Sequence, residues 1–453
     1  MGEMEVPDDA LYGASTQRAL LNFTIGARPL RPELICAIGQ VKYAACFANR
    51  ELGRLSPERA ALILTASREV ADGRWNSHFP VDIFQTGSGT SSNMNANEVI
   101  ANRCAQLAGN ALGSKEPVHP NDHVNLGQSS NDVFPTAIHV AAGQLLQTKL
   151  LPQLARLHSG LLQKSAEFYP ILKLGRTHLM DATPISLGEV FGAFARQIAL
   201  GSQRIRRALS ALFELPLGGT AVGTGINGHP DFASHAIVEL TRLTDLPWKE
   251  ALNHIEAQSA RDALVEVSGL LKTLAVSLTK IADDLRWMAS GPHGGLGELR
   301  MPPRQPGSSI MPGKVNPVIC ESLLQACSRV VGNDATLTWA AARGNFELNT
   351  MMPLLADTLL DSIQLLSNGS QLLHDKCIQE LQALPAHCAA LLDQSLALAT
   401  RLVPLVGYER AAALALQSQL TGKTLRELCL EQLTIPESEL HQALDSSQPL
   451  RHT

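Results

Sequence analysis

Apolar residues recur at three- and four-residue spacing through most of the chain. The longest such pattern, at 131–169, covers more than one helical face, so we predict a helix that is buried on several sides and broken near Pro152. Strict alternation of apolar and polar residues is nearly absent, and aromatic residues make up only 4%. The sequence therefore predicts a mostly α protein, a bundle of long helices. Further long helices are predicted at 187–213, 251–288 and 320–342.

A chain of 453 residues is too long for one compact core. We predict an N-terminal mixed helical domain at 1–127, a central helical bundle at 128–386 and a small C-terminal helical domain at 387–453. The predicted helix at 251–288 carries its charges near its two ends, with only Lys272 between them. Such a helix is typical of a core or of an oligomer interface.

Composition narrows the possible partners and the compartment. The net charge is −5 and no dense basic run occurs, which excludes a nucleic-acid-binding role. No charge-free apolar segment reaches membrane-spanning length, and the N-terminal residues lack an apolar signal core. The eight cysteines are scattered, without a Cys-x-x-Cys pair, as expected of reduced thiols. We therefore expect a soluble, cytoplasmic protein with no membrane partner.

The segment 307–317 is the most distinctive chemical feature. It reads Gly-Ser-Ser-Ile-Met-Pro-Gly-Lys-Val-Asn-Pro, so it has little to bury and two hydroxyls, an ammonium and an amide to offer a ligand. It does not fit a phosphate-binding loop, because five residues separate Gly307 from Gly313 and Val315 occupies the position of the required Ser or Thr. We predict a mobile loop equipped for chemistry.

Two other segments combine hydroxyls and amides with a helix start. Residues 86–93 precede a predicted helix from Met94 to Leu107, and residues 128–132 lie at the head of the predicted helix that begins at Asn131. First-turn N–H groups lack acceptors within their helix, so with these hydroxyls they make an anion site. Capping alone would need one Ser or Thr.

Two histidine-containing segments admit several interpretations. His119 and His123 are four residues apart, but no third ligand with recognisable spacing follows, so we interpret 119–123 as a polar loop able to hold an anion rather than as a zinc site. A lone histidine such as His178 is usually a satisfied core group. Together with Lys314 and Glu321, however, it suits the stabilisation of a negatively charged intermediate.

The glycine-rich segment 223–228 matches the dinucleotide-binding fingerprint in spacing only. The preceding residues, 216–222, are too rich in glycine for the buried parallel strand that this motif requires. We therefore predict a connection between helices in which glycines let the backbone pass close to its neighbours.

Taken together, these motifs resemble the class II fumarases of the fumarase–aspartase superfamily. The resemblance extends from Gly-Ala-Ser-Thr-Gln-Arg at 13–18 to Gly-Asn-Phe-Glu-Leu-Asn at 344–349. The loop at 307–317 identifies only the superfamily, whereas His178 is more discriminating, because aspartases carry glutamine there. The resemblance implies a homotetramer with a twenty-helix core, active sites shared among three subunits, a small dicarboxylate substrate and no cofactor or metal.

The resemblance also implies a reaction, the reversible, stereospecific hydration of fumarate to L-malate in the citric acid cycle. Ser308 would remove a proton next to a carboxylate with help from Lys314, and an aci-carboxylate would form. His178, oriented by Glu321, would activate water on the opposite face. The implied substrate-binding residues are Ser88, Gly89, Thr90, Ser129, Ser130, Asn131, Thr177, Ser309 and Asn316.

One departure and two alternatives accompany this resemblance. The family binds a second dicarboxylate at a site that would comprise His119, Asn121 and Asp122, but Glu116 occupies the place of the usual basic residue. The first alternative is an aspartate ammonia-lyase or another dicarboxylate lyase of the superfamily, which His178 disfavours. The second is a non-catalytic structural member, which the intact set of implied catalytic residues disfavours.

Overall fold

A computed structural model describes residues 3–444, and within that range the chain is mostly helical with short strands. The predicted mostly α, long-helix fold is therefore confirmed. The helices are α1 (Ala14–Asn22), α2 (Pro32–Glu51), α3 (Pro57–Ala71), α4 (Thr90–Leu107), α5 (Ser130–Leu145), α6 (Leu151–Phe168), α7 (Leu187–Leu209), α8 (Phe232–Thr244), α9 (His254–Ser259), α10 (Asp262–Met288), α11 (Val318–Ala341), α12 (Met352–Leu373), α13 (Pro385–Asp393), α14 (Ala399–Val406), α15 (Tyr408–Thr421), α16 (Leu425–Gln432) and α17 (Glu437–Ala443). The strands are β1 (Leu172–Thr177), β2 (Met180–Ser186), β3 (Glu214–Leu215), β4 (Lys249–Glu250), β5 (Leu299–Arg300), β6 (Gly344–Asn345), β7 (Leu348–Asn349) and β8 (Gln382–Ala383).

The long predicted helices exist, with two differences. Near Pro152 the chain does not break: a π-helical segment, Leu146–Leu150, joins α5 to α6 just before the proline, whose missing N–H disturbs a regular α-helix. The helix predicted at 251–288 is interrupted, because Ala260 is extended (φ −91°, ψ 155°) and separates α9 from α10. Helices α7 and α11 cover the other two predicted segments.

The described chain divides into two units. Within residues 3–444, the first comprises the residues up to 152 together with 201–275 and 326–367, and the second comprises 153–200, 276–325 and the residues from 368 onwards. The predicted regions 1–127, 128–386 and 387–453 stay a prediction, and residues 1–2 and 445–453 lie outside the described residues.

In the first unit, α2 is central and packs against α3, α5 and α8. Pro32 begins α2 at a position where a missing N–H costs nothing, and Leu34, Ile38 and Val41 lie on its buried face. Helix α3 begins in the same way after Ser56, whose hydroxyl accepts the N–H of Arg59 at 3.4 Å.

In the second unit, β1 and β2 form an antiparallel hairpin against which α13 packs. Helices α14 to α17 enclose a small apolar core of their own. Its buried members include Leu402, Leu414, Leu425, Leu428 and Leu440. The sequence pattern did not predict the hairpin, which carries His178.

Two further observations concern the chemical environment of the chain. No helix within residues 3–444 combines enough length with enough apolar character to cross a bilayer. All eight cysteines are free thiols, and all except Cys36 are buried.

His139 is a buried titratable group in the first unit. It is buried on α5, and its Nδ1 lies 2.9 Å from the carbonyl oxygen of Leu212. Burial, followed by the nearby positive charge of Arg261, lowers the pKa of His139 to about 4. Between this value and the ordinary 6.5, the unfolded chain takes up a proton that the folded chain does not.

We therefore predict that the protein loses stability as the pH falls from 6.5 towards 4, and that His139→Asn flattens this dependence. At ~1.4 kcal/mol per pKa unit, the contribution of this group is on the order of 3 kcal/mol. The free energy of unfolding, measured in urea at several pH values, tests this. The matched control is His235→Asn on the exposed side of α8. An unchanged slope in the His139 variant would contradict the prediction.

Candidate active site

The first cluster of hydroxyls lies at the start of α4. Gly89 precedes this helix with a φ of 72°, and a Cβ at this position would lie 2.3 Å from the ring of Phe134. Because the left-handed turn at Gly89 starts the helix, α4 begins at Thr90 rather than at the predicted Met94. The hydroxyls of residues 90–92 consequently belong to its first turn.

Hydrogen bonds join this cluster to the one at the head of α5. The Ser88 and Thr90 hydroxyl oxygens are 2.8 Å apart, and those of Thr90 and Ser130 are 2.6 Å apart. Ser88 and Ser130 are buried and Thr90 is half-buried. The two segments that the sequence analysis singled out separately therefore form one hydroxyl cluster, which we define as Ser88, Thr90, Ser129, Ser130 and Asn131.

Asp132 holds the α5 side of the hydroxyl cluster. Its Oδ1 accepts the N–H of Ser129 at 2.9 Å, while the Ser129 hydroxyl accepts the N–H of Asn131 at 3.2 Å. Its Oδ2 accepts the N–H groups of Gly218 and Thr220, both at 3.0 Å. Complete burial nevertheless raises the pKa of Asp132 to about 6. One carboxylate thus fixes both a helix start and a distant loop.

The same loop contains the glycine-rich segment 223–228. It connects β3 to α8, and the Asn131 amide donates to the carbonyl of Ala221 at 2.8 Å. A Cβ on Gly223 would lie 2.6 Å from the backbone nitrogen of Ile255. The predicted reason for these glycines, close passage of the backbone, agrees with this geometry, although a short strand rather than a helix precedes the loop.

The segment 119–123 forms a compact turn. The Nδ1 atom of His119 lies 3.3 Å from the backbone nitrogen of Asn121, 3.2 Å from that of Asp122, and 3.2 Å from Oδ2 of Asp122. His119 and Asn121 line a cavity of about 520 Å³, together with Arg18 and Lys115.

In the second unit, the segment 307–317 is an irregular loop between β5 and α11, as predicted. The Gly307 N–H donates to the carbonyl of Lys314 at 2.8 Å, and the Asn316 amide donates to the carbonyl of Gly307 at 2.8 Å. A Cβ on Gly307 would lie 2.4 Å from the Lys314 carbonyl oxygen. The two hydrogen bonds hold the ends of the loop together. The short distance to the carbonyl oxygen leaves no room for a Cβ at position 307.

Ser308 is half-buried within this loop, and its hydroxyl oxygen accepts two backbone N–H groups. The donors are Ile310 and Met311, each at 3.1 Å. N–H groups aimed at an oxygen stabilise negative charge on it. This geometry would favour negative charge on the Ser308 oxygen.

Lys314, Asn316 and Glu321 line one cavity of about 770 Å³. Glu321 lies in the first turn of α11, and Arg286 and Arg300 line the same cavity. A cationic wall with one carboxylate suits a small anionic ligand. The sequence analysis had not identified the two arginines.

Thr177 and His178 lie at the tip of the β1–β2 hairpin, and both are exposed in the single chain. Thr177 pairs with Met180, so His178 and Leu179 form a two-residue turn, with φ values of 56° and 61°. This backbone conformation is unfavourable for leucine, and such strain is common at functional sites.

A buried ion cluster anchors the hairpin near this turn. Glu298 is fully buried, 2.9 Å from Nη1 of Arg176 and 3.3 Å from Nζ of Lys173. Burial lowers the pKa of Lys173, although Glu298 opposes that change. The pair Arg176–Glu298 therefore fixes the strand that ends just before His178, a role that nothing in the local sequence pattern indicated.

The single chain does not bring all implied catalytic residues together. His178 is not among the residues that line the cavity of Lys314, and within residues 3–444 no hydrogen bond joins it to Glu321. The orientation of His178 by Glu321 stays a prediction.

Comparison with known proteins places this site in a family. A profile described as lyase matches residues 2–332, and one described as fumarase C C-terminus matches residues 398–448. The chain is 50% identical to the class II fumarate hydratase of Thermosynechococcus vestitus over 95% of this chain and 92% of the relative.

Two solved structures agree with this relationship. A class II fumarase from Schistosoma mansoni has a TM-score of 0.94 at 38% identity, covering 98% of this chain and 97% of that one. A fumarate lyase:delta crystallin from Brucella melitensis bound to cobalt has a TM-score of 0.94 at 44% identity, with the same coverage. The class of protein is therefore a lyase. More specifically, the chain belongs to the class II fumarate hydratase family.

Proposed function

We propose that this protein catalyses the reversible, stereospecific hydration of fumarate to L-malate, the reaction of the citric acid cycle for which its relatives are named. The observation that carries this proposal is the Ser308 hydroxyl, which accepts two backbone N–H groups in the loop that also bears Lys314. Removing a proton next to a carboxylate requires a strong base, and this environment lowers the cost of forming one.

In the direction of dehydration, Ser308 takes the proton from the carbon next to one carboxylate of malate. The resulting aci-carboxylate carries additional negative charge. Lys314 stabilises this charge. Asn316, whose amide also closes the loop, lines the same cavity as Lys314 and supplies a further hydrogen bond. The reacting groups of the chain perform acid–base chemistry and electrostatic stabilisation.

His178 assists departure of the hydroxyl as water on the opposite face, or activates water in the reverse direction. We assign Glu321 of another subunit to orient this imidazole, which agrees with the separation of the two residues in the single chain. The strained turn at His178 and Leu179 presents the imidazole at the tip of the hairpin.

The hydroxyl cluster and Gly89 bind substrate carboxylates at the N-termini of α4 and α5, where free N–H groups favour anions. Thr177 and Ser309 supply further hydrogen bonds to the dicarboxylate. A secondary dicarboxylate site would use His119, Asn121 and Asp122, as in the family, but with a lower positive charge because of Glu116.

We further propose a cytoplasmic homotetramer in which three subunits contribute to each site and the long helices form a twenty-helix core. Large apolar side chains on these helices are exposed in the single chain, including Trp287 on α10 and Trp339 on α11. Large apolar side chains left exposed on long helices are typical of an oligomer interface.

Ser308→Ala is expected to lower kcat by about a hundredfold to ten-thousandfold, the usual contribution of a general base. Binding of a competitive dicarboxylate and assembly should change little, because the hydroxyl acts in the chemical step. Turnover is followed by the ultraviolet absorbance of fumarate. The matched variant is Ser309→Ala, which removes the neighbouring hydroxyl and should mainly raise KM. Near-normal turnover by the Ser308 variant would remove this residue from the role of base.

Subunit mixing tests whether sites are shared. Ser308→Ala and His178→Gln, each nearly inactive alone, should regain activity when their subunits are dissociated, mixed in equal amounts and reassembled. If the two residues come from different subunits, random assembly leaves about one site in four intact. The control is each variant reassembled with itself. Mixed oligomers that have exchanged subunits, as shown by mass, yet stay inactive would contradict shared sites.

Substrate choice separates a hydratase from an ammonia-lyase. We expect a much higher kcat/KM for L-malate than for L-aspartate, because an imidazole at position 178 can transfer a proton to or from water, which a glutamine amide cannot. His178→Gln should depress hydration strongly without creating efficient amination, since an ammonium pocket needs more than one change. The control is His235→Gln on α8. A wild-type preference for L-aspartate would assign the protein to the ammonia-lyases.

A further inference from the structure

Lys42 is a buried lysine for which the mechanism above has no use. It lies on α2 with none of its surface exposed. Its ammonium donates to Oδ1 of Asn125 at 2.9 Å and to Oε1 of Gln128 at 3.0 Å. A lysine is rarely buried without a specific reason, because the desolvation of its charge is costly.

The two acceptors belong to the turn that leads directly into the hydroxyl cluster. Within this turn, the Asn125 amide donates to the carbonyl of Gln128 at 3.1 Å, and the Gln128 amide donates to the carbonyl of Val124 at 3.0 Å. The side-chain N–H groups are therefore used inside the turn, while both side-chain oxygens accept from Lys42. The Lys42 ammonium thus holds the turn that immediately precedes Ser129.

Asn125 also connects Lys42 to the other half of the hydroxyl cluster. The Asn93 amide in the first turn of α4 donates to the same Asn125 oxygen at 3.1 Å. Ser88 and Thr90 precede Asn93, and Thr90 contacts Ser130 of α5. One ammonium therefore braces the starts of both helices.

The surroundings keep Lys42 chemically distinct from a surface lysine. Burial lowers its pKa to about 7, and the carboxylate of Asp132 on α5 opposes this change. An anion bound at the nearby helix starts would favour the protonated form in the same way. The Asp132 charge and the two hydrogen bonds from the Lys42 ammonium all favour the protonated form of this lysine.

We propose that Lys42 is a positioning residue for substrate binding, which holds the hydroxyl cluster through Asn125 and Gln128 and adds positive charge beneath a carboxylate of the dicarboxylate. This inference rests on the proposed function. The proposed effect is on the affinity for both substrate and transition state, because the Lys42 ammonium bonds to Asn125 and Gln128, to which no step of the reaction is assigned. Uniform binding of this kind appears in KM and leaves kcat unchanged.

The experiment compares the full-length wild type with Lys42→Met, which keeps the aliphatic stem and removes the ammonium. We expect KM for L-malate, and the Kd of succinate as an unreactive dicarboxylate, to rise about 10- to 100-fold, with kcat within about threefold. The matched control is Lys164→Met, another buried lysine, whose ammonium bonds to Glu167 and the carbonyl of Leu381 in the second unit. It should leave KM and Kd unchanged.

Gln128→Met removes the acceptor of the Lys42–Gln128 hydrogen bond and leaves Lys42 itself unchanged. It should raise the succinate Kd by a smaller factor, and the double variant with Lys42→Met should show less than the product of the two effects. If Lys42→Met does not fold, the Kd of Gln128→Met decides alone. An unchanged Kd in these variants, a fall in kcat at constant KM, or an equal effect of Lys164→Met would overturn the proposal. Failure of the wild type to turn over malate would instead overturn the proposed function.

Discussion

Backbone N–H groups without a partner in regular structure are the constraint on which both the hydroxyl cluster and the 307–317 loop depend. Each needs an acceptor, and at the start of a helix or in a tight turn only a side chain, water or a ligand can supply one. In the first unit the first turns of α4 and α5 offer such groups beside the hydroxyl cluster. In the second unit Ile310 and Met311 direct theirs at the Ser308 oxygen. The donors that stabilise these turns can also stabilise an anion.

Buried charges hold these turns in place. Asp132 ties the start of α5 to the loop at 218–220, and Glu298 ties the β1–β2 hairpin through Arg176. A buried charge is costly unless it is fully paired, so each arrangement tolerates little movement. Lys42 belongs to the same class, since it is buried and its acceptors lie next to the hydroxyl cluster. The polar turn before α5 and the β1–β2 hairpin are consequently held by buried titratable side chains.

Much of the fold and part of the candidate site could be predicted from local patterns. Periodicity located the long helices, and the composition of 307–317 indicated an irregular, reactive loop. The hairpin was missed because its alternation is short, Lys173 occupies a buried position, and the register shifts between Leu174 and Arg176. The start of α4 was placed too late, since nothing in the local pattern indicates that Gly89 is left-handed or that it packs against Phe134, forty-five positions away in the chain.

The sequence by itself determined the helical class, the residue types available for chemistry and the segments that carry them, because these depend on spacing within a few turns. Only the tertiary structure decided that Thr90 meets Ser130, that Lys42 supports the turn before Ser129, and that Glu298 anchors the strand before His178. Such contacts join residues far apart in the chain. Their free energy comes from burial and pairing in the folded state, and no local pattern of residues records it.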